Sequence, residues 1–325
     1  MILHRRSFLF LSSSLLAGRV HMTTTSPGIA PTAASAQSPP PMTITEELMY
    51  STVRLSYSDG ANTMWGTGFF FSFFESGGTH VLAIVTNKHV VSGMKTCSFR
   101  LASTNADGSP NSSSLLDVLM PNFETAWIPH PLTDLAIIPF SSKFAELNAA
   151  PNKPFVRWLN QSLIPTTDEF SQLNPVEQVL TLGFPGAIWD DVHNLPVFHR
   201  GYTASPPYVD FKGNREFLLD FTTWPGASGS MVLLYNDQGW VDRRGNTFLG
   251  SHRIKLIGVV YGVATQDVSG NVAIQNGPIS LVGQGKMSVP TNVGACIRSS
   301  RILEFESVMV SQGYKPPVGY VIRSN

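Results

Sequence analysis

The chain has 325 residues, 42% of them hydrophobic and 14% charged, with formal net charge +0 at pH 7. That length can bury one large core or two lobes with cores of their own. The sparse charge, with no basic block, argues against nucleic acid as a partner, and abundant Gly, Pro, Val, Ile, Phe and Thr favour strands and turns over long helices.

In chain order, the first segment reads as an address. "MILHRRSFLFLSSSLLAG" places His4, Arg5 and Arg6 before a short apolar stretch from Phe8 to Ala17, and "AASAQ" supplies Ala34 and Ala36 before a cut at Gln37. Arg5-Arg6-Ser7-Phe8-Leu9 resembles the bacterial twin-arginine signal, so residues 1–36 are expected to be an export peptide and the chain periplasmic or extracellular. The apolar run is too short for a membrane span, and no later one replaces it, so no membrane partner is expected beyond the signal. A stiff Pro-rich linker, 37–45, follows.

Strand-like runs then alternate with turn clusters: "TVRLSY", "GTGFFFSFF", "HVLAIVT", "CSFRLA", "LLDVLM" and "DLAIIPF", with Ser103–Ser114 read as a surface loop. Lys143–Glu169 separates these from a second series, "EQVLTLGFP", "PVFHRGYTAS", "EFLLDFT", "SMVLLY" and "KLIGVVYGV". A closing helix over about 294–312 would bury Ile302, Phe305 and Met309 on one face. The pattern predicts an all-β protein of two similar units with a C-terminal helix. Cys97 and Cys296 could form a disulfide in an exported protein or remain two buried thiols; spacing alone leaves both open. Neither Cys nor His clusters in a metal-ligand pattern, so no metal or other cofactor is expected.

The chemistry concentrates in "TWPGASGSMV", Thr223–Val232. Glycines weaken strands, so Gly226 and Gly229 around Ser228 are there for a sharp turn or a close approach. A serine hydroxyl needs a base to take its proton and a third group to orient the base. His89 follows the apolar strand of "VLAIVTNKHVV" after the turn-prone Asn87-Lys88, a rigid position from which a ring can reach a cleft. His80, His130, His193 and His199 lack that setting and read as surface or structural. Asp134 opens the buried run of "HPLTDLAIIPF"; taken alone, such an acid would only cap a turn. Asp117, inside "LLDVLM", is a rival that strand alternation turns away from its apolar neighbours.

The order His89, Asp134, Ser228, with "GTG" before the histidine and "PGASGS" around the serine, resembles the trypsin-like, chymotrypsin-fold serine peptidases, in particular bacterial ones of the HtrA and glutamyl-endopeptidase sort. The resemblance spans about residues 46–312. It implies two antiparallel six-stranded β-barrels, about 46–150 and 170–292, with the cleft between them and protein or peptide substrates in it. It further implies Ser228 as nucleophile, His89 as general base and acid, Asp134 as its orienting group, and the N–H groups of Gly226 and Ser228 as an oxyanion hole. Gly229 would leave room for substrate. Thr222, Val259, Tyr261, Gly262 and Met287 would line the pocket for the side chain before the scissile bond, favouring small or medium apolar residues, with Lys286 turned away. Ala227 departs from the digestive enzymes, which carry an acid there to pair with a new N-terminus.

Two rival readings belong to other classes. An α/β-hydrolase esterase needs G-x-S-x-G, a following helix and the order Ser, Asp, His; here Ser230 ends the motif, "MVLLY" continues as strand, and the order is reversed. A catalytically silent relative acting as a binding module would usually lack a triad member, and all three are present.

Overall fold

The run Gly68–Phe74 is apolar at nearly every position, where a strand with one wet face would alternate. The structure, a computed structural model, explains this: the strand that carries it is covered on both faces. It describes residues 41–322 apart from 62, 77–78, 187, 222–225 and 276–279, with backbone only over 265–290. The export signal and its cut at Gln37 lie outside the described residues.

Helix α1, Ile44–Met49, starts at a reciprocal cap: Glu46 N donates to Thr43 Oγ1 and Thr43 N to the Glu46 carboxylate. The first sheet then comprises β1 Thr52–Ser58, β2 Thr63–Ser76, β3 Thr79–Asn87, β4 Cys97–Thr104, β5 Pro110–Met120, β6 Ile128–Pro129 and β7 Leu135–Pro139, with a one-turn helix α2, Lys88–Val91, after β3. Its hydrogen-bonded order is β5-β4-β1-β2-β3-β7-β6, and β8, Leu159–Asn160, adds to β2. Between the lobes run α3, Ser141–Ala149, and α4, Thr167–Ser171.

The second series builds β9 Gln178–Gly183, β10 Val197–Thr203, β11 Glu216–Asp220, β12 Met231–Asn236, a small hairpin of β13 Gly239–Val241 and β14 Thr247–Leu249, then β15 Arg253–Gln275 and β16 Ser280–Arg298. β10-β11-β16-β15-β12-β9 close into an antiparallel barrel. The all-β class is therefore as expected, but only this second unit closes through hydrogen bonds among the described residues. The first stays open between β5 and β6, because β6 is two residues long and ends in a proline, which has no N–H to give.

Three cores result. Val53, Leu55, Phe70, Ile84, Phe99 and Ile138 fill the first lobe. Val179, Phe217, Val232, Ile257, Val260 and Cys296 fill the barrel. The third lies between the lobes: Phe69, Phe71 and Phe73 of β2 and Ile137 of β7 meet Leu180, Leu182, Met231 and Leu233 of the barrel. Helix α5, Ser300–Ser311, seals it with Ile302, Leu303, Phe305 and Met309, the three expected positions among them. The helix starts at Ser300 rather than near 294, because Ala295 to Arg298 finish β16.

One other expectation changes, and one open alternative is decided. The surface loop shrinks to a tight turn at Asn105–Ser109, since β5 takes over from Pro110: Pro110 and Asn111 pair with β4, Ser112–Ser114 bulge at a register shift, and pairing resumes at Leu115. Cys97 and Cys296 are free and buried, one in each lobe's own core, so no disulfide joins them.

Candidate active site

β3 ends at Asn87, and its buried side chain donates from Nδ2 to the Asp134 carbonyl at 2.8 Å. Lys88 N donates to the same carbonyl at 3.3 Å. These two bonds tie the start of α2, which carries His89, to the loop that enters β7. His89 N donates to Asp134 Oδ1 at 3.2 Å, and its ring Nδ1 lies 2.5 Å from Asp134 Oδ2. With the carboxylate as acceptor, Nδ1 holds the ring proton and Nε2 is left as the basic nitrogen. The acid is less enclosed than its proposed role suggests: its side chain is 30% exposed and that of His89 49%.

The loop before Asp134 is folded around another histidine. His130, fully buried, accepts from the N–H groups of Leu132 and Thr133 at Nδ1 (3.1 and 3.3 Å), and its Nε2 lies 3.2 Å from Glu304 on α5. The sequence reading of His130 as structural is right in kind, and its partner could not be read from the chain. Asp117 is excluded as the third group, since it pairs with Arg100 on the outer face at 2.9 Å with its side chain 81% exposed.

Ser228 comes from the opposite lobe. Gly226 and Gly229 have φ of +99° and +86°, a region that side chains with a Cβ rarely adopt. A Cβ on Gly226 would stand 2.6 Å from the Phe184 carbonyl; one on Gly229 would fall 1.8 Å from the Thr67 carbonyl. Gly229 is thus small because the other lobe's backbone presses on it, not to admit substrate, which corrects the sequence reading. Gly229 N donates to Val260 O and Ser230 N to Ala227 O, fixing the turn. The Ser228 N–H has no acceptor among the described residues, as a donor held for an incoming oxygen requires. Ser228, Gly226, His89 and Val90 line one cleft with Thr63, Met64 and Trp65, about 310 Å3 in volume.

Thr67 is the residue the sequence reading passed over. Its N–H donates to Ser228 O at 2.9 Å and its Oγ1 donates to Gly226 O at 2.9 Å. The same Oγ1 accepts from Phe184 N, also at 2.9 Å, and its carbonyl accepts from Thr86 Oγ1 at 2.7 Å. One buried threonine therefore holds the serine loop of the barrel to β2 of the first lobe. The signal was present in "GTG", where the polar residue between two glycines is the one that cannot be explained by packing.

The expected side-chain pocket is not assembled as drawn. Thr222 lies outside the described residues. Val259 is fully buried in the core between the lobes, because its strand position faces Met231 and Ile297. Met287 pairs with Val268 far along the β15–β16 hairpin, whereas the residue across from Gly262 is Ala295. Tyr261, at a bulge, turns its hydroxyl to Glu216 at 2.7 Å; burial, that carboxylate and more distant acids including Asp134 push its pKa well above the usual phenol value. Gly262 keeps open space beside it: the one neighbour a Cβ would meet is Ala295 at 4.0 Å.

No family model matches the chain, and no curated protein does. Among solved structures it is similar to the serine endoprotease from Yersinia pestis, at 15% identity over 85% of this chain and 69% of that one, with a TM-score of 0.43. Rv3671c from M. tuberculosis, in an inactive form, is 14% identical over 87% of this chain and 100% of that one, with a TM-score of 0.38. An inactivated protease paralogue of the scabies mite is 11% identical over 82% and 96%, with a TM-score of 0.40.

Proposed function

We propose that the protein is a serine endopeptidase of the trypsin-like kind. The observation that carries the reading is the cleft in which the Asp134-bound His89 of one lobe and Ser228 of the other share a wall, with the Ser228 amide unspent among the described residues. Ser228 Oγ attacks the scissile carbonyl while His89 Nε2 takes its proton. The carbonyl oxygen becomes an oxyanion held by the N–H groups of Gly226 and Ser228, each such donor worth roughly 3 kcal/mol of barrier. His89 then protonates the departing amine, and water repeats the sequence on the acyl-enzyme. Asp134 fixes the tautomer and steadies the imidazolium. Ala227 is nearly buried in the barrel core and brings no acid to pair with a freed N-terminus, so the reading includes no zymogen step.

A fluorophosphonate label, located by peptide mapping, tests this directly. Modification of Ser228, lost in Ser228→Ala and His89→Ala alike, is the expected result; a labelled protein with Ser228 unmodified overturns it. Because the three groups act as a unit, the double Ser228→Ala/His89→Ala protein should be no slower on a casein-type substrate than Ser228→Ala alone. Export by the twin-arginine route belongs to the same proposal, on the strength of Arg5-Arg6 and the Ala-Ser-Ala ahead of Gln37. Normal secretion of an Arg5→Lys/Arg6→Lys precursor, or a mature N-terminus far from 37, would sink that part.

A further inference from the structure

A second cavity, of about 590 Å3, lies beside the cleft, within the range of roughly 300–1,000 Å3 common for ligand sites. Its floor is the outer face of β1 and β4, with Arg54, Ser56, Ser98 and Arg100; its roof is the 189–194 loop of the barrel, with Trp189 and Asn194. The roof is anchored: Asn194 Nδ2 donates to the Arg100 carbonyl at 2.9 Å. Arg54 lies 4.8 Å from the Trp189 ring centroid, and its Nε is buried with no hydrogen-bond partner. Burial pulls its pKa below the usual guanidinium value, and among the described residues no carboxylate pairs with it. The two acids on the walls are otherwise placed, Asp117 on Arg100 and Asp191 out in solvent. A partly desolvated guanidinium without a counter-charge is costly, and an anion entering this cavity would relieve it.

The position says where the anion comes from. Ser56 of the cavity floor is the cross-strand partner of Trp65, which lines the catalytic cleft. On the roof, Trp189 packs its ring against Phe184, whose carbonyl touches Gly226. The cavity therefore continues the cleft past Trp65. The serine loop is bonded to β15 at Val260, through Gly229 N to Val260 O and Val260 N to Ser230 O, whereas the cavity adjoins the cleft at Trp65. On the endopeptidase reading the acyl part of the substrate follows β15 and the leaving group takes the Trp65 side. From Trp65 to Ser98 is two strand spacings, about 10 Å, which an extended peptide covers in roughly three residues.

We propose that the Arg54 cavity binds a carboxylate of the substrate, carried roughly two to four residues after the scissile bond, either as a Glu or Asp side chain or as the peptide's own C-terminus. The inference rests on the endopeptidase reading for its placement. It assigns selectivity for acidic peptides to the leaving-group side, a preference the serine loop does not reveal.

The test uses fluorogenic peptides cleaved at one known bond, with Glu against Gln at each of the five downstream positions. A charge-assisted hydrogen bond to Arg54 predicts a kcat/KM advantage of roughly tenfold or more for Glu at one or two of them. Peptides ending there as free acid or amide separate the two sources of the carboxylate. Arg54→Gln should bring the ratio to within about twofold. Ser98→Glu, which adds a competing acid to the floor and leaves Arg54 in place, should do the same in a protein that melts like the parent. Equal rates for Glu and Gln at every position, or a Glu advantage that survives both substitutions, overturns the proposal. Calorimetric binding of the Glu and Gln leaving-group peptides to Ser228→Ala protein gives a readout without turnover. If the peptidase reading fails, labelling and cleavage are absent, yet the Arg54-dependent difference in binding still decides the cavity.

Discussion

Thr67 and Gly229 show how one contact can serve both fold and chemistry. The Thr67 hydroxyl bridges Gly226 O and Phe184 N, and its carbonyl sits where any side chain on residue 229 would go. Thr67→Val keeps the shape and removes the hydroxyl, leaving a buried carbonyl and a buried N–H unpaired, at about 1–3 kcal/mol each. The loop should then be free to turn the Gly226 peptide, so kcat should fall more than KM changes. A Thr67→Val protein with unchanged kcat and melting temperature would remove Thr67 from the site. At this scale His89, Asp134 and Ser228 were legible because chain order, glycine context and strand ends are local signals. The roles of Thr67, Asn87 and Glu304 were not, since each depends on a partner brought near only by folding. Val259 and Met287 were misplaced for a related reason: the register of a long hairpin, bulged at Tyr261, cannot be counted from the sequence.

Among the elements, α5 does more than cover apolar surface. Glu304 on its first turns faces His130, Arg215 and Arg301, at 3.2, 3.3 and 3.0 Å. Burial alone would raise its pKa, but the hydrogen bonds from His130 and Arg301 outweigh it, so the carboxyl stays below its usual value. A carboxyl depressed in the folded state adds stability above its unfolded pKa, about 4.3, and loses it as pH falls through the lower folded value. Stability should therefore drop on acidification from about pH 5 downward, and Glu304→Gln should flatten that limb while lowering stability at neutral pH. Denaturant unfolding across pH 3–7 measures both. An unchanged acid limb in Glu304→Gln would mean that other carboxylates set it. The helix itself was readable from the spacing of Ile302, Phe305 and Met309. Its start was not, because "ACIR" suits a helix as well as the last strand of a barrel, and only pairing with β11 and β15 decides.

Over the whole molecule, the decisive feature is the core between the lobes. Phe69, Phe71 and Phe73 leave β2 on one side and Phe70 on the other, so the central strand of the first sheet belongs to two cores at once. A lobe cut free would expose the first three, together with Val85 and Ile137, which are all nearly inaccessible in the folded protein. At about 1.5–3 kcal/mol for each side chain of this kind taken out of water, exposing all five forfeits roughly 8–15 kcal/mol, as much as the whole net stability of a typical domain, about 5–15 kcal/mol, so a lobe alone is left marginal. The two units that look separable in the sequence should therefore unfold together. Trp158, packed on the first core, and Trp240, on the barrel's small hairpin, report the lobes separately. Variants keeping one or the other should give coincident denaturant transitions, and calorimetry a single peak with matching calorimetric and van't Hoff enthalpies. Phe71→Ala should cost about 3–5 kcal/mol and shift both probes equally. Two separated transitions, or a Phe71→Ala shift confined to the Trp158 signal, would show lobes that fold independently. Joint unfolding also bears on catalysis, because His89 and Ser228 stand on different lobes and their shared cleft persists only while that core holds.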